Sequence, residues 1–111
     1  MIEQIIRDHL IAVLAVPVVL EIPARLPETF VVLEKTGSGI TNCIQRSTLA
    51  VQSYAPSLYQ AAELNEQVKA AMGRAAALPE LCAVRLNSDY NFTDTTIKRY
   101  RYQAVFDLTH Y

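Results

Sequence analysis

The stretch Tyr54-Ala55-Pro56-Ser57-Leu58-Tyr59-Gln60 marks a change of hydrophobic period, and that change limits the folds open to the chain. Before it, from Thr41 to Ala55, side chains alternate, with Leu49 and Val51 on one face and Arg46, Thr48 and Gln52 on the other, the period of a strand. After it, Ala61, Leu64, Val68, Ala71, Met72 and Ala75 recur at helical spacing, while Glu63, Glu66, Lys69 and Arg74 face outward. Pro56 punctuates the strand. Ser57 can accept from the N3 amide and Gln60 can reach back, the capping-box arrangement that starts a helix. Gly73 costs about 1 kcal/mol relative to alanine, and Leu78-Pro79 closes the helix. A stripe this rich in alanine lets a helix lie close on a sheet.

The other segments follow the same two periods. Ile2, Ile5, Ile6, Leu10, Val13 and Leu14 predict an amphipathic helix over 2–14, with Glu3 and Arg7 paired on its outer side and Pro17 ending it. His9 falls on or beside the stripe and reads as a packed, hydrogen-bonded side chain. Val18–Ile22 and Phe30–Thr36 read as strands separated by Pro23 and Pro27. Thr36-Gly37-Ser38-Gly39 reads as a hairpin loop with a projecting tip; it is no phosphate-binding loop, since neither Gly-Lys-Ser/Thr nor an immediate helix follows. Leu81–Tyr90 and Ile97–Leu108 form a second expected hairpin across the polar stretch Asn91–Thr96. In its last strand, alternation sets Tyr100, Tyr102, Ala104, Phe106 and Leu108 against Arg99, Arg101, Gln103 and Asp107. The expected order is α-β-β-β-α-β-β: one α+β domain over 1–111, with a mainly antiparallel sheet, one long helix on a face and an N-terminal helix.

Composition removes several function classes. With 51% apolar and 19% charged residues and a formal net charge of −1, the chain is globular and carries no overall field to gather nucleic acid or anionic membrane. The apolar run Leu10–Leu20 is too short to span a bilayer and is broken by Pro17. Cys43 and Cys82 have no metal or redox spacing and read as free thiols. The sequon Asn91-Phe92-Thr93 has no secretory context. Acid-base or nucleophilic catalysis needs grouped side chains. The two histidines, His9 and His110, lie at opposite ends of the sequence, and Asp89 and Asp94 suit turn chemistry, so no catalytic, cofactor or metal residues are expected.

Three stretches, "FVVLEKTGSG", "IQRSTLAVQSYAPSLYQAAELNEQV" and "VRLNSDYNFTDTTIKRYRYQAVFDL", together resemble the small tail-completion or tail-terminator proteins of bacteriophage and prophage tail operons. The pair "QSYAP" and "SDYNFTDT" carries most of the likeness, which extends over nearly the whole chain. The resemblance implies a homo-hexameric ring that caps the head-proximal end of the tail tube, ends tube polymerisation and joins the tail to the head connector. Its partners would be copies of itself, the tail tube protein and a head completion or stopper protein, with DNA passing through unbound and no membrane involved. Its place would be the virion tail, after assembly in the host bacterial cytoplasm. Polarity and expected projection single out Gly37, Ser38, Gly39, Thr41 and Asn42, then Asn91, Thr93, Asp94 and Thr95, with Arg99 and Arg101, as contacts in such an assembly. A head-side connector component is the alternative within this class. A nucleic-acid-binding module is the alternative outside it, disfavoured because Tyr100 and Tyr102 point away from the basic face.

Overall fold

In the computed structural model the described residues are 1–22, 24–25, 27–41, 44–93 and 100–111. The elements are α1 (Ile2–Val13), β1 (Val18–Val19), β2 (Phe30–Thr41), β3 (Ile44–Ala55), α2 (Leu58–Ala75), β4 (Leu81–Asn91) and β5 (Tyr100–His110). They give the expected order and an α+β fold. The five strands lie in the order β1-β2-β3-β5-β4, with β1 parallel to β2 and every other neighbouring pair antiparallel.

The change of period at Pro56 is realised as read. Ser57 is extended (φ −134°, ψ 157°) and its hydroxyl accepts from the Gln60 N–H at 3.2 Å, which satisfies one of the orphan donors of α2. Leu64, Val68, Ala71, Met72 and Ala75 of α2 are buried against Leu49 and Val51 of β3 and Ala104, Phe106 and Leu108 of β5. Ile2, Ile6 and Leu10 of α1 complete this core. His9 Nε2 meets the Ala71 carbonyl at 2.8 Å; a carbonyl only accepts, so the proton sits on Nε2 and ties α1 to α2.

Two expectations are corrected. Thr36–Gly39 is not a hairpin loop: β2 continues through it to Thr41, with Gly37, Ser38 and Gly39 opposite Thr48, Ser47 and Arg46. Neither Gly37 nor Gly39 adopts the left-handed backbone that would require glycine, and a Cβ at Gly39 would meet nothing within 4 Å. The local turn signal therefore yields to cooperative pairing with β3, eased by a bulge between Lys35 and Gly37 and by Thr36 Oγ1 donating to the Thr48 carbonyl at 3.3 Å. The segment Val18–Ile22 is a strand only at Val18–Val19, because Leu20 and Ile22 are exposed and find no place in the core.

Replacing Ser57 with alanine is expected to lower stability by about 1 kcal/mol, read as a shifted urea midpoint at unchanged slope.

Candidate functional site

Two helices cover one face of the sheet, and among the described residues the other face carries no helix. β-Strand alternation and register place Phe30 and Val32 of β2, Gln52 and Tyr54 of β3, Arg101 and Gln103 of β5 and Tyr90 of β4 together on that helix-free face. Phe30 and Tyr54 stack at 4.6 Å with an interplanar angle of 5°. They form, with Val32 and a flanking Val19, a second small core.

A directed chain of hydrogen bonds crosses the strands beside it. An Arg101 guanidinium N–H donates to the Tyr54 hydroxyl at 2.9 Å, which donates to Gln52 Oε1 at 3.4 Å. Gln52 Nε2 donates to Gln103 Oε1 at 2.8 Å, and Gln103 Nε2 donates to the Tyr90 hydroxyl at 2.6 Å. Arg101 Nε also donates to the Phe92 carbonyl at 2.7 Å, and its guanidinium lies 4.2 Å from the Phe92 ring and 5.5 Å from the Tyr54 ring. Phe92 meets Tyr90 edge to face at 5.8 Å, closing the circuit. Both glutamines are buried, so each would be costly if left unpaired.

At the far end of the same face, Arg46 of β3, Arg85 of β4 and Asp107 and Thr109 of β5 line an open recess of about 440 Å³. The Asp107 carboxylate accepts from Thr48 Oγ1 at 3.2 Å and from Asn87 Nδ2 at 3.0 Å. Nearby, on the helix-covered side, Ser47 and His110 share a hydrogen bond at 2.8 Å. His110 Nδ1 faces the Tyr111 carbonyl and so carries the proton, which leaves Nε2 to accept from Ser47. At 4% and 6% exposure the pair is sealed from solvent, and it acts as a polar tie between β3 and β5.

The sheet ends without partners on both sides. Among the described residues, β4 pairs only with β5, and β2 beyond Val32 pairs only with β3. Each free edge strand carries an exposed large aliphatic side chain, Ile40 (73%) on β2 and Leu86 (43%) on β4. Tracing directions through the antiparallel pairs, β4 runs opposite to β2.

The residues expected to form contacts fall into two groups that the fold holds apart. Gly37, Ser38, Gly39 and Thr41 lie in β2 beside the Arg46 end of β3, whereas Asn91, Thr93 and Arg101 lie at the Tyr54 end. At about 3.4 Å per residue, the eight steps between Arg46 and Tyr54 span roughly 27 Å. Asn91 Oδ1 accepts from the Thr93 N–H at 3.1 Å and its hydroxyl at 2.6 Å, the turn expected of this polar stretch. Asn42, Asp94, Thr95 and Arg99 lie outside the described residues.

Two features escaped the sequence reading. Tyr100 and Tyr102 point away from Arg101 as alternation in β5 predicts, but Tyr54 and Tyr90 share the face of Arg101. Tyrosines on neighbouring strands are invisible to a one-strand alternation. Asp89, read as turn chemistry, sits within β4 and accepts from Asn65 Nδ2 at 3.1 Å and Lys69 Nζ at 3.0 Å. Lys69 also pairs with Glu66 at 2.7 Å. The bonds to Glu66 first and then Asp89 hold its ammonium charged above the ordinary 10.5. The chain matches no protein-family model and no curated protein. No described helix is long and apolar enough to cross a membrane.

Two measurements follow. Gln52→Leu and Gln103→Leu should each cost more than half of what the double variant costs, because either single change strands a buried amide; additive costs in a double-mutant cycle would show the amides to be independent. Because the Lys69 pKa is raised in the folded state, its contribution is full below the unfolded value and lost as pH rises through the folded one. Unfolding midpoints between about pH 9 and 12 should therefore fall less steeply for Lys69→Met than for the parent.

Proposed function

We propose that this chain is a phage tail-completion protein that assembles as a ring on the head-proximal end of the tail tube. The observation that carries the reading is a sheet free at both edges, with opposed strand directions. A ring whose copies all point the same way brings the β4 edge of one against the β2 edge of the next in antiparallel sense. That joint is heterologous, and it closes only through rotation about an axis. Backbone groups on such edges are ready donors and acceptors for another strand, and the exposed Ile40 and Leu86 add apolar surface to the joint. Val31 donates its N–H outward to the Pro17 carbonyl at 2.9 Å, the parallel register with β1 takes up that of Leu33, and by alternation the N–H of Lys35 aims the same way beyond β1.

The polar groups at opposite ends of the strands suit the two axial contacts such a ring needs, one toward the tube and one toward the head. A head-side connector ring would use the same joint, and binding to a tail tube separates the two. A nucleic-acid reading draws on Arg101, Phe92 and Tyr90 sharing one face. Arg101, however, already donates to Phe92 and Tyr54.

Added to polymerising tail tubes, the protein is expected to stop elongation at one end with six copies per tube, counted by electron microscopy. Ile40→Lys should abolish that capping while leaving the monomer's melting temperature within about 2 °C of the parent. Tubes that grow unchecked would overturn the reading, and micromolar binding of single-stranded DNA at physiological salt in that same circumstance would favour the nucleic-acid module.

A further inference from the structure

A shallow groove of about 370 Å³ lies on the helix-covered side, between α2 and β5. Tyr59, Ala62, Glu63 and Glu66, one turn apart along a single face of α2, form one wall, and Tyr102 of β5 forms the other. The small Ala62 leaves the gap between the two tyrosines, and Tyr59 is 77% exposed. Asn65 lines the groove while itself only 1% exposed. Its Nδ2 is spent on Asp89, and its Oδ1 has no hydrogen-bond partner. A buried amide oxygen without a donor is uncommon. Glu63 adds an exposed carboxylate beside it, and Glu66 a second one shared with Lys69. The groove thus combines an orphan acceptor, carboxylates and two aromatic rings.

We propose that this groove receives an arginine side chain from a partner polypeptide. A guanidinium is planar, so it can lie against a tyrosine ring with its forked N–H groups on the Glu63 carboxylate, and a rotation of Asn65 that exposes its sealed Oδ1 would add a second acceptor. An anionic ligand would meet the exposed Glu63 carboxylate, which no described cation offsets, whereas Glu66 is already paired with Lys69. The groove is open along its length and too shallow to enclose a free small molecule, which favours a side chain held in place by contacts elsewhere. The inference is independent of the ring assembly, since it uses neither free edge of the sheet.

Titration of the isotope-labelled chain with N-acetyl-arginine-methylamide, followed by NMR, tests it. The Asn65 side-chain amide and the rings of Tyr59 and Tyr102 should shift together. Glu63→Gln and Tyr59→Ala should each weaken the apparent affinity roughly fivefold, whereas Glu3→Gln on α1 should leave it unchanged. Shifts spread over all acidic surfaces, insensitivity to both groove variants, or equal binding of the neutral citrulline analogue would overturn the proposal. Equal affinity for the bare guanidinium ion would overturn the assignment to a side chain, since the peptide units would then contribute nothing.

Discussion

The hydrogen bond between Gln52 and Gln103 is the constraint on which the middle of the molecule depends. From Leu49 to Ala55 β3 is buried on both faces, and Gln103 of β5 is buried on the bare face beside it, although the described helices cover only the other face. On the covered face the solution is ordinary: Leu49, Val51, Phe106 and Leu108 meet α2. On the bare face there is no second layer to bury against, and the side chains shield one another by lying flat and bonding in sequence from Arg101 to Tyr90. Such a chain is stable only if complete, since a half-satisfied buried network is worse than an apolar one. It also gives the bare face a fixed shape without the thickness of another helix.

That fixed face and the two unpaired edges belong together. In the proposed ring, a sheet that extends into a neighbouring copy needs flanks that are straight and unobstructed, and a central pair that does not twist when load is applied at either side. α2 lies over β3 and β5 and reaches β4, where Asn65 and Lys69 bond Asp89, and α1 packs over β1 and β2. Natural sheets usually protect such edges with charge or proline. Here β2 carries the exposed charges Glu34 and Lys35 and β4 carries Arg85 and Asp89, with Ile40 and Leu86 exposed beside them.

Much of the architecture was legible because local and long-range preferences agree. The cap at Ser57, the alanine stripe of α2 and the alternation of β5 each describe an element that tertiary packing also favours. Where the two conflict, the sequence misleads. Gly37 and Gly39 look like a turn, yet a long partner strand holds them extended. Val18–Ile22 looks like a strand, but only its first two residues find a neighbour. The bare-face network was half legible: alternation put Arg101 and Gln103 on one side, but only register brings Gln52, Tyr54 and Tyr90 against them. Asn65, buried within the apolar stripe of α2, is the polar residue that points to the groove beside that helix.

The shortest element has the longest reach. β1 contributes two residues and occupies the flank of β2 only at Val31 and Val32. Any strand sliding along that flank from the Thr41 end is arrested when it meets β1. In the proposed ring a mating segment would thereby be indexed to one stopping point, much as a peg fixes the travel of a bolt. The descent from α1 through Pro17, whose carbonyl takes the Val31 N–H, sets where that peg stands, so in the proposed ring the register between copies is fixed partly by the end of a helix.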